Sequence, residues 1–163
     1  PSYNWASDGF MIKARSTEGS PMRNVNQILE AKGARLITVP KEAPVLEVIR
    51  LMAEHHIGSV LVVQGGELVG IATERDYARK VILQGRSSAD TPVAQVMSSP
   101  VVTVLPTDTV QTCMGLMTER KIRHLPVREN GQLLGLISIG DLVKAVIEDQ
   151  RQEIAQLQQY ISS

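Results

Sequence analysis

Residues Thr38–Ile82 realign on Thr103–Ile147 at a constant offset of 65, without a gap. Thr38, Val39, Val45, Leu51, Met52, Glu54, Ile57, Val62, Gly66, Leu68, Gly70, Asp76, Val81 and Ile82 recur as Thr103, Val104, Val110, Leu116, Met117, Glu119, Ile122, Val127, Gly131, Leu133, Gly135, Asp141, Val146 and Ile147. A repeat of this kind is one supersecondary unit made twice, and each copy buries apolar surface against its neighbour. The expected product is a pseudo-symmetric pair packed face to face. A cleft between near-equivalent halves is then the first place to look for a ligand.

Within each repeat the order of signals is the same. A short strand (Leu36–Val39, Val101–Val104) enters a turn at Pro40 or Pro106. A helix follows with Val45, Val48, Ile49, Met52 and Ala53 on one face, matched by Val110, Cys113, Met114 and Met117. Two strands come next, Val60–Val63 with Leu68–Ala72 and Leu125–Val127 with Leu133–Ile137. Gly65-Gly66 and Asn130-Gly131 between them suit tight hairpins, because these residues accept positive φ. A second helix starts after Thr73 or Ser138. The unit is β-α-β-β-α, and the fold class is α+β.

The boundaries expected are a leader or tail at 1–21, a first repeat at 25–83, a linker at 84–98, a second repeat at 99–147 and a helical extension at 148–163. Val25, Ile28 and Leu29 form a short helical face that Gly33 can end. The linker segment Pro92–Met97 has room for one helical turn. Val143, Ile147, Ile154, Leu157 and Ile161 continue a stripe beyond the second repeat. Gln150 and Arg151 break the stripe, and its cover is either the helix's own module or, the favoured expectation, a second subunit.

Charge narrows the function classes. Lys and Arg number 17, as do Asp and Glu, so there is no overall footprint for nucleic acid. No apolar run reaches membrane-spanning length, and a cytoplasmic protein is expected. The single cysteine, Cys113, lies on an apolar helical face, where it reads as a small buried hydrophobe. His55 and His56 are adjacent on a helix and point about 100° apart, so they do not share a metal. No nucleophile stands beside His124, and neither a Walker nor a dinucleotide glycine pattern is present. The chain is expected not to be an enzyme.

The chemistry is concentrated in GIATERD (Gly70–Asp76) and GLISIGD (Gly135–Asp141). Thr73 and Ser138 stand where a strand gives way to a helix, and free N–H groups with the helix dipole favour phosphate there. One turn on, Asp76 and Asp141 can accept hydrogen bonds from the vicinal hydroxyls of a ribose. The same spacing is a capping box, with the hydroxyl at N-cap and the acid at N3. Spacing alone leaves both readings open.

These motifs, together with IGSVLVV…GGELVGIATERD and IRHLPVRENGQLLGLISIGD, resemble a tandem pair of CBS (cystathionine β-synthase) domains of the standalone bacterial signal-transduction type. The resemblance spans about Val25–Ile147. It implies two repeats packed about a pseudo-twofold axis, with clefts that take AMP, ATP, ADP, NAD(H) or S-adenosylmethionine. The motif Asp would hold ribose and the Thr or Ser phosphate or ribose. Carried onto this chain, one cleft would use Thr38, Ile57, Gly58, Ser59, Thr73, Arg75 and Asp76. The other would use Thr103, Arg123, His124, Pro126, Ile137, Ser138 and Asp141. Unequal sites are expected, with a monophosphate held by Arg123 and a larger ligand reaching toward Arg75; Leu61 departs from the Pro-Val pattern of Pro126-Val127.

The resemblance further implies a regulatory adenine-nucleotide sensor, a homodimer formed through helices, and AMP or NAD(H) as preferred ligands. The regulated protein would be a separate chain. Two other readings remain open at this point: an oligomerisation module with empty clefts, and a nucleic-acid-binding regulator.

Overall fold

The computed structural model describes residues 23–33 and 35–162, and the tail read at 1–21 lies outside them. The elements run α1 (Val25–Lys32), β1 (Thr38–Val39), α2 (Val45–His55), β2 (Ser59–Gln64), β3 (Glu67–Thr73), α3 (Glu74–Tyr77), α4 (Val110–Arg120), β4 (His124–Glu129), β5 (Gln132–Ser138) and α5 (Ile139–Ser162). A π-helical turn over Ala78–Ile82 continues α3, and a short 3-10 turn covers Val93–Gln95. The fold is mixed α+β, as expected.

The chain divides into two compact units, one holding Arg35–Val101 and the other holding the second repeat with α1. In the first unit β1 runs parallel to β2, and β2 pairs antiparallel with β3. The hairpin turns at Gly65 (φ 58°) and Gly66 (φ 80°). Val45, Val48 and Met52 of α2 cover this sheet, joined by Val81, Val93 and Val96. Ala53, expected on the apolar face of α2, is exposed. It lies just off the arc that Val45, Val48 and Met52 bury.

The second unit repeats this register. His124↔Ser138 corresponds to Ser59↔Thr73, and both ladders carry a bulge at the equivalent place, after Val127 and after Val62. Asn130 (φ 52°) and Gly131 (φ 76°) make the turn. The strand expected at Val101–Val104 shrinks to one parallel bridge, Val104 with Val127. It nonetheless falls where Val39 pairs with Val62 in the first repeat.

The helix expected to open the first repeat instead joins the core of the second. Asn24 caps α1 through a capping box with Gln27, and Val25, Ile28 and Leu29 pack with Val110, Leu116, Leu125 and Ile137. Each such side chain taken fully from water contributes about 1.5–3 kcal/mol, which helps an eight-residue helix too short to persist alone. The mirror case is Val93–Ser98, which precedes the second repeat but packs on the first. Its Met97 side chain stands where a Cβ on Gly70 would be, while Leu29 Cδ2 lies 2.6 Å from the Cβ position of Gly135. The repeated motif glycine thus leaves room for a side chain from outside its own repeat.

The candidate nucleotide sites

Both hydroxyl-x-x-Asp motifs form at a strand-to-helix junction, and both form capping boxes. In the first, Asp76 N–H donates to Thr73 Oγ1 (3.1 Å) and Thr73 N–H donates to Asp76 Oδ2 (3.0 Å). In the second, Asp141 N–H donates to Ser138 Oγ (3.2 Å) and Ser138 N–H to Asp141 Oδ2 (2.9 Å). The helix-cap geometry is therefore real, and each motif aspartate has the oxygen capacity to do more than cap.

The strand before the hairpin is brought alongside. Glu74 N–H donates to Gly58 O (3.1 Å) and Ile139 N–H to Arg123 O (2.9 Å), so Gly58 and Arg123 occupy equivalent positions at the mouth of each junction. Ser59 and His124 sit next, directly opposite Thr73 and Ser138. The structure thus gathers Gly58, Ser59, Thr73 and Asp76 in one unit, and Arg123, His124, Ser138 and Asp141 in the other. Arg75 lies on the first turn of α3 and is exposed, and Ile57 is half-buried just ahead of Gly58. Thr38 and Pro126 stand one step along the sheet, Thr38 opposite Leu61 and Pro126 opposite Leu136. Thr103 is buried beside the Val104 bridge. Ile137 is fully buried in the core with Leu125 and Val127, so its side chain serves packing.

Among the described residues one buried side-chain polar atom has no partner: the Ser59 hydroxyl, in a residue 1% exposed. An unsatisfied buried hydroxyl costs on the order of 1–3 kcal/mol. A shallow cavity of about 200 Å³, its open mouth included, reaches Thr73 and Asp76 from the α2 side between Val45, Met52, Tyr77 and Val96.

The two carboxylates differ in their surroundings. Asp76 takes hydrogen bonds from Thr73 Oγ1 (3.0 Å) and Ser98 Oγ (3.2 Å to Oδ1), and Lys80 Nζ stands 3.1 Å from Oδ1. Lys80 is four residues on in the same helical run. Its counterpart in the second repeat is Ala145, which is buried. There the cation comes from α1: Lys32 Nζ lies 2.7 Å from Asp141 Oδ2 and 2.9 Å from Leu136 O. Burial pushes the Asp141 carboxyl up, but the Lys32 ammonium and the Ser138 N–H outweigh it and hold the group below its ordinary value. His124 is lowered, first by burial, then by Lys32 and Arg123, with Asp141 opposing. Burial, assisted by Asp108, raises the Cys113 thiol to about 12.

Lys32, Lys80 and Ser98 were not among the residues expected at the sites. Lys80 had a signal, its i,i+4 spacing from Asp76. The other two had none, because their contacts span 109 and 22 positions. Among the described residues no group of three or more His, Cys, Asp or Glu side chains could hold a metal. No helix among them is long and apolar enough to cross a membrane.

Comparison with known proteins decides the family. The CBS domain pattern matches residues 31–82 and again 93–148. The chain belongs to the CBS domain family. It is 35% identical over 168 residues to the CBS domain-containing protein CBSX3, mitochondrial, of Arabidopsis thaliana, covering 93% of this chain and 82% of the relative. A CBS-domain protein from Burkholderia ambifaria MC40-6 is similar in structure, with a TM-score of 0.76 and 53% identity; the match covers 78% of this chain and 96% of that one. The CBS domain protein PAE2072 from Pyrobaculum aerophilum, solved in complex with AMP, matches with a TM-score of 0.65 and 28% identity over 73% and 89% of the two chains.

Proposed function

We propose that this CBS pair is a regulatory module that binds an adenine nucleotide, AMP or NAD(H) foremost, and reports energy or redox state to a separate protein. The observation that carries the reading is the repeated constellation of hydroxyl, carboxylate and ammonium at a strand-to-helix junction, Thr73–Asp76–Lys80 and Ser138–Asp141–Lys32. A ribose offers two hydroxyl donors for the carboxylate, and the neighbouring ammonium suits phosphate. The unpartnered Ser59 hydroxyl, next to Thr73 across the ladder, supports a polar ligand group in the first site. The AMP complex of the Pyrobaculum aerophilum relative supports the ligand class. Thermal unfolding tests it: a nucleotide at a hundredfold its dissociation constant adds about 2.7 kcal/mol of stability. AMP, ADP, ATP, NAD and NADH without effect on the midpoint would overturn the reading.

The complete capping boxes favour a second reading, a module whose motifs serve only as helix ends. It predicts no nucleotide effect in the same experiment.

The module pairs with a second copy of itself through α5. Ile147, Ile154 and Ile161 take the a positions of a heptad and Val143 and Leu157 two of the d positions, with Gln150 at the d between them, and all five apolar residues are exposed. Isoleucine at a with leucine at d favours two parallel strands. In that arrangement the flanking g and e positions include Glu153 with Gln158 and Val146 with Arg151, so no like charges face one another. Ile154→Lys should convert the pair to a monomer in sedimentation, and an unchanged mass would remove this interface.

A further inference from the structure

We infer that Lys32 makes the Asp141 site selective for phosphorylated adenosine ligands over uncharged or cationic ones. This rests on the nucleotide reading above and adds the residue that sets the selectivity of one site. Both repeats place an ammonium within about 3 Å of the motif carboxylate, but by unrelated means. In the first it is Lys80 of the same helical run. In the second that position is Ala145, buried in the core, and α1 supplies Lys32 across 109 residues. An ammonium thus meets each motif carboxylate, from the same helical run in one repeat and from a distant helix in the other.

One ammonium, Lys32, pairs directly with the Asp141 carboxylate at 2.7 Å. Lys32 and Arg123 both act on His124, which faces Ser138 across the ladder. The 24-residue helix α5 begins at this point, and its N-terminal dipole adds to the field. Lys32 offsets the Asp141 charge at 2.7 Å. When ribose hydroxyls occupy the carboxylate, the ammonium loses part of its partner. Lys32 is 40% exposed in its side chain, and its flexible stem can turn the charge to a phosphate. Adenosine offers no such group, so it must compete with Lys32 for Asp141 without recompense. A sulfonium or amine ligand would also meet the Lys32 charge.

The test measures AMP and adenosine binding in the Asp76→Ala background, where the Asp141 site reports alone. It compares Lys32 with Lys32→Gln and Lys32→Arg, with circular dichroism to check folding. The expected result is AMP at least tenfold tighter than adenosine with Lys32 present. Lys32→Gln should collapse that ratio to within about threefold while leaving adenosine equal or tighter, and Lys32→Arg should restore it. An AMP-to-adenosine ratio that Lys32→Gln leaves unchanged would overturn the inference alone. If folded protein with both motif aspartates intact binds neither compound, the nucleotide reading falls and takes the inference with it.

Discussion

Lys32 and Asp141, 109 positions apart in the chain, meet at 2.7 Å and tie α1 to the start of α5. The contact holds the Asp141 carboxyl below its ordinary value despite burial. As pH falls the unfolded chain therefore takes up this proton first. The stabilisation is complete above the unfolded value, about 3.9, and is lost as pH falls through the folded one. Lys32→Met should lower the urea midpoint at pH 6, with the gap to the parent narrowing below about pH 4. A gap that stays constant down to pH 3 would show that the ion pair is not its source.

His124 moves stability in a higher window. Burial first, then Lys32 and Arg123, lowers its folded value. Near pH 6.5 the unfolded chain binds a proton that the folded one refuses, so stability is present above that pH and lost as pH falls toward the folded value. NMR titration of the imidazole should give a midpoint below about 6.5. Bound phosphate should raise it, and a midpoint above 6.5 in the free protein would contradict the assignment.

Two glycines should respond in opposite directions. A Cβ on Gly135 would lie 2.6 Å from Leu29 Cδ2, at the seam where α1 covers β5. Gly135→Ala should cost about 1–3 kcal/mol, as overpacking does. Gly115 sits inside α4 with nothing within 4 Å of its Cβ position. Gly115→Ala should add about 0.5–1 kcal/mol through helix propensity and a less flexible unfolded chain. Denaturant midpoints separate the two, and equal shifts would refute the packing argument.

Cys113 is completely buried and its thiol is raised to about 12. Only the thiolate reacts, so labelling by a disulfide reagent at pH 8 should wait for unfolding. The labelling rate should rise with urea in step with the loss of helical signal. Fast labelling of the native protein would place the thiol at the surface.

The repeat made most of the fold legible in advance. Identical apolar positions specify which side chains share a face, and Gly65-Gly66 and Asn130-Gly131 specify the hairpins by their tolerance of positive φ. The partner of α1 was not legible: Val25, Ile28 and Leu29 announce an apolar face without saying which sheet receives it. The strand at Val101–Val104 was over-read because β-branched residues fit any half-buried extended segment. At the candidate sites, the pairing of Thr73 with Asp76 and of Ser138 with Asp141 was visible from spacing, whereas Ser98 and Lys32 arrive through tertiary packing that no local pattern encodes.

Calorimetric titration of the nucleotide-free protein, alongside Asp76→Ala and Asp141→Ala, decides whether the two motifs hold nucleotide. Saturable binding of AMP or NAD(H) is expected, with each substitution abolishing one site and sparing the other. Heats no greater than dilution for AMP, ADP, ATP, NAD and NADH, from protein that unfolds cooperatively, would contradict it and leave the two motifs as helix caps.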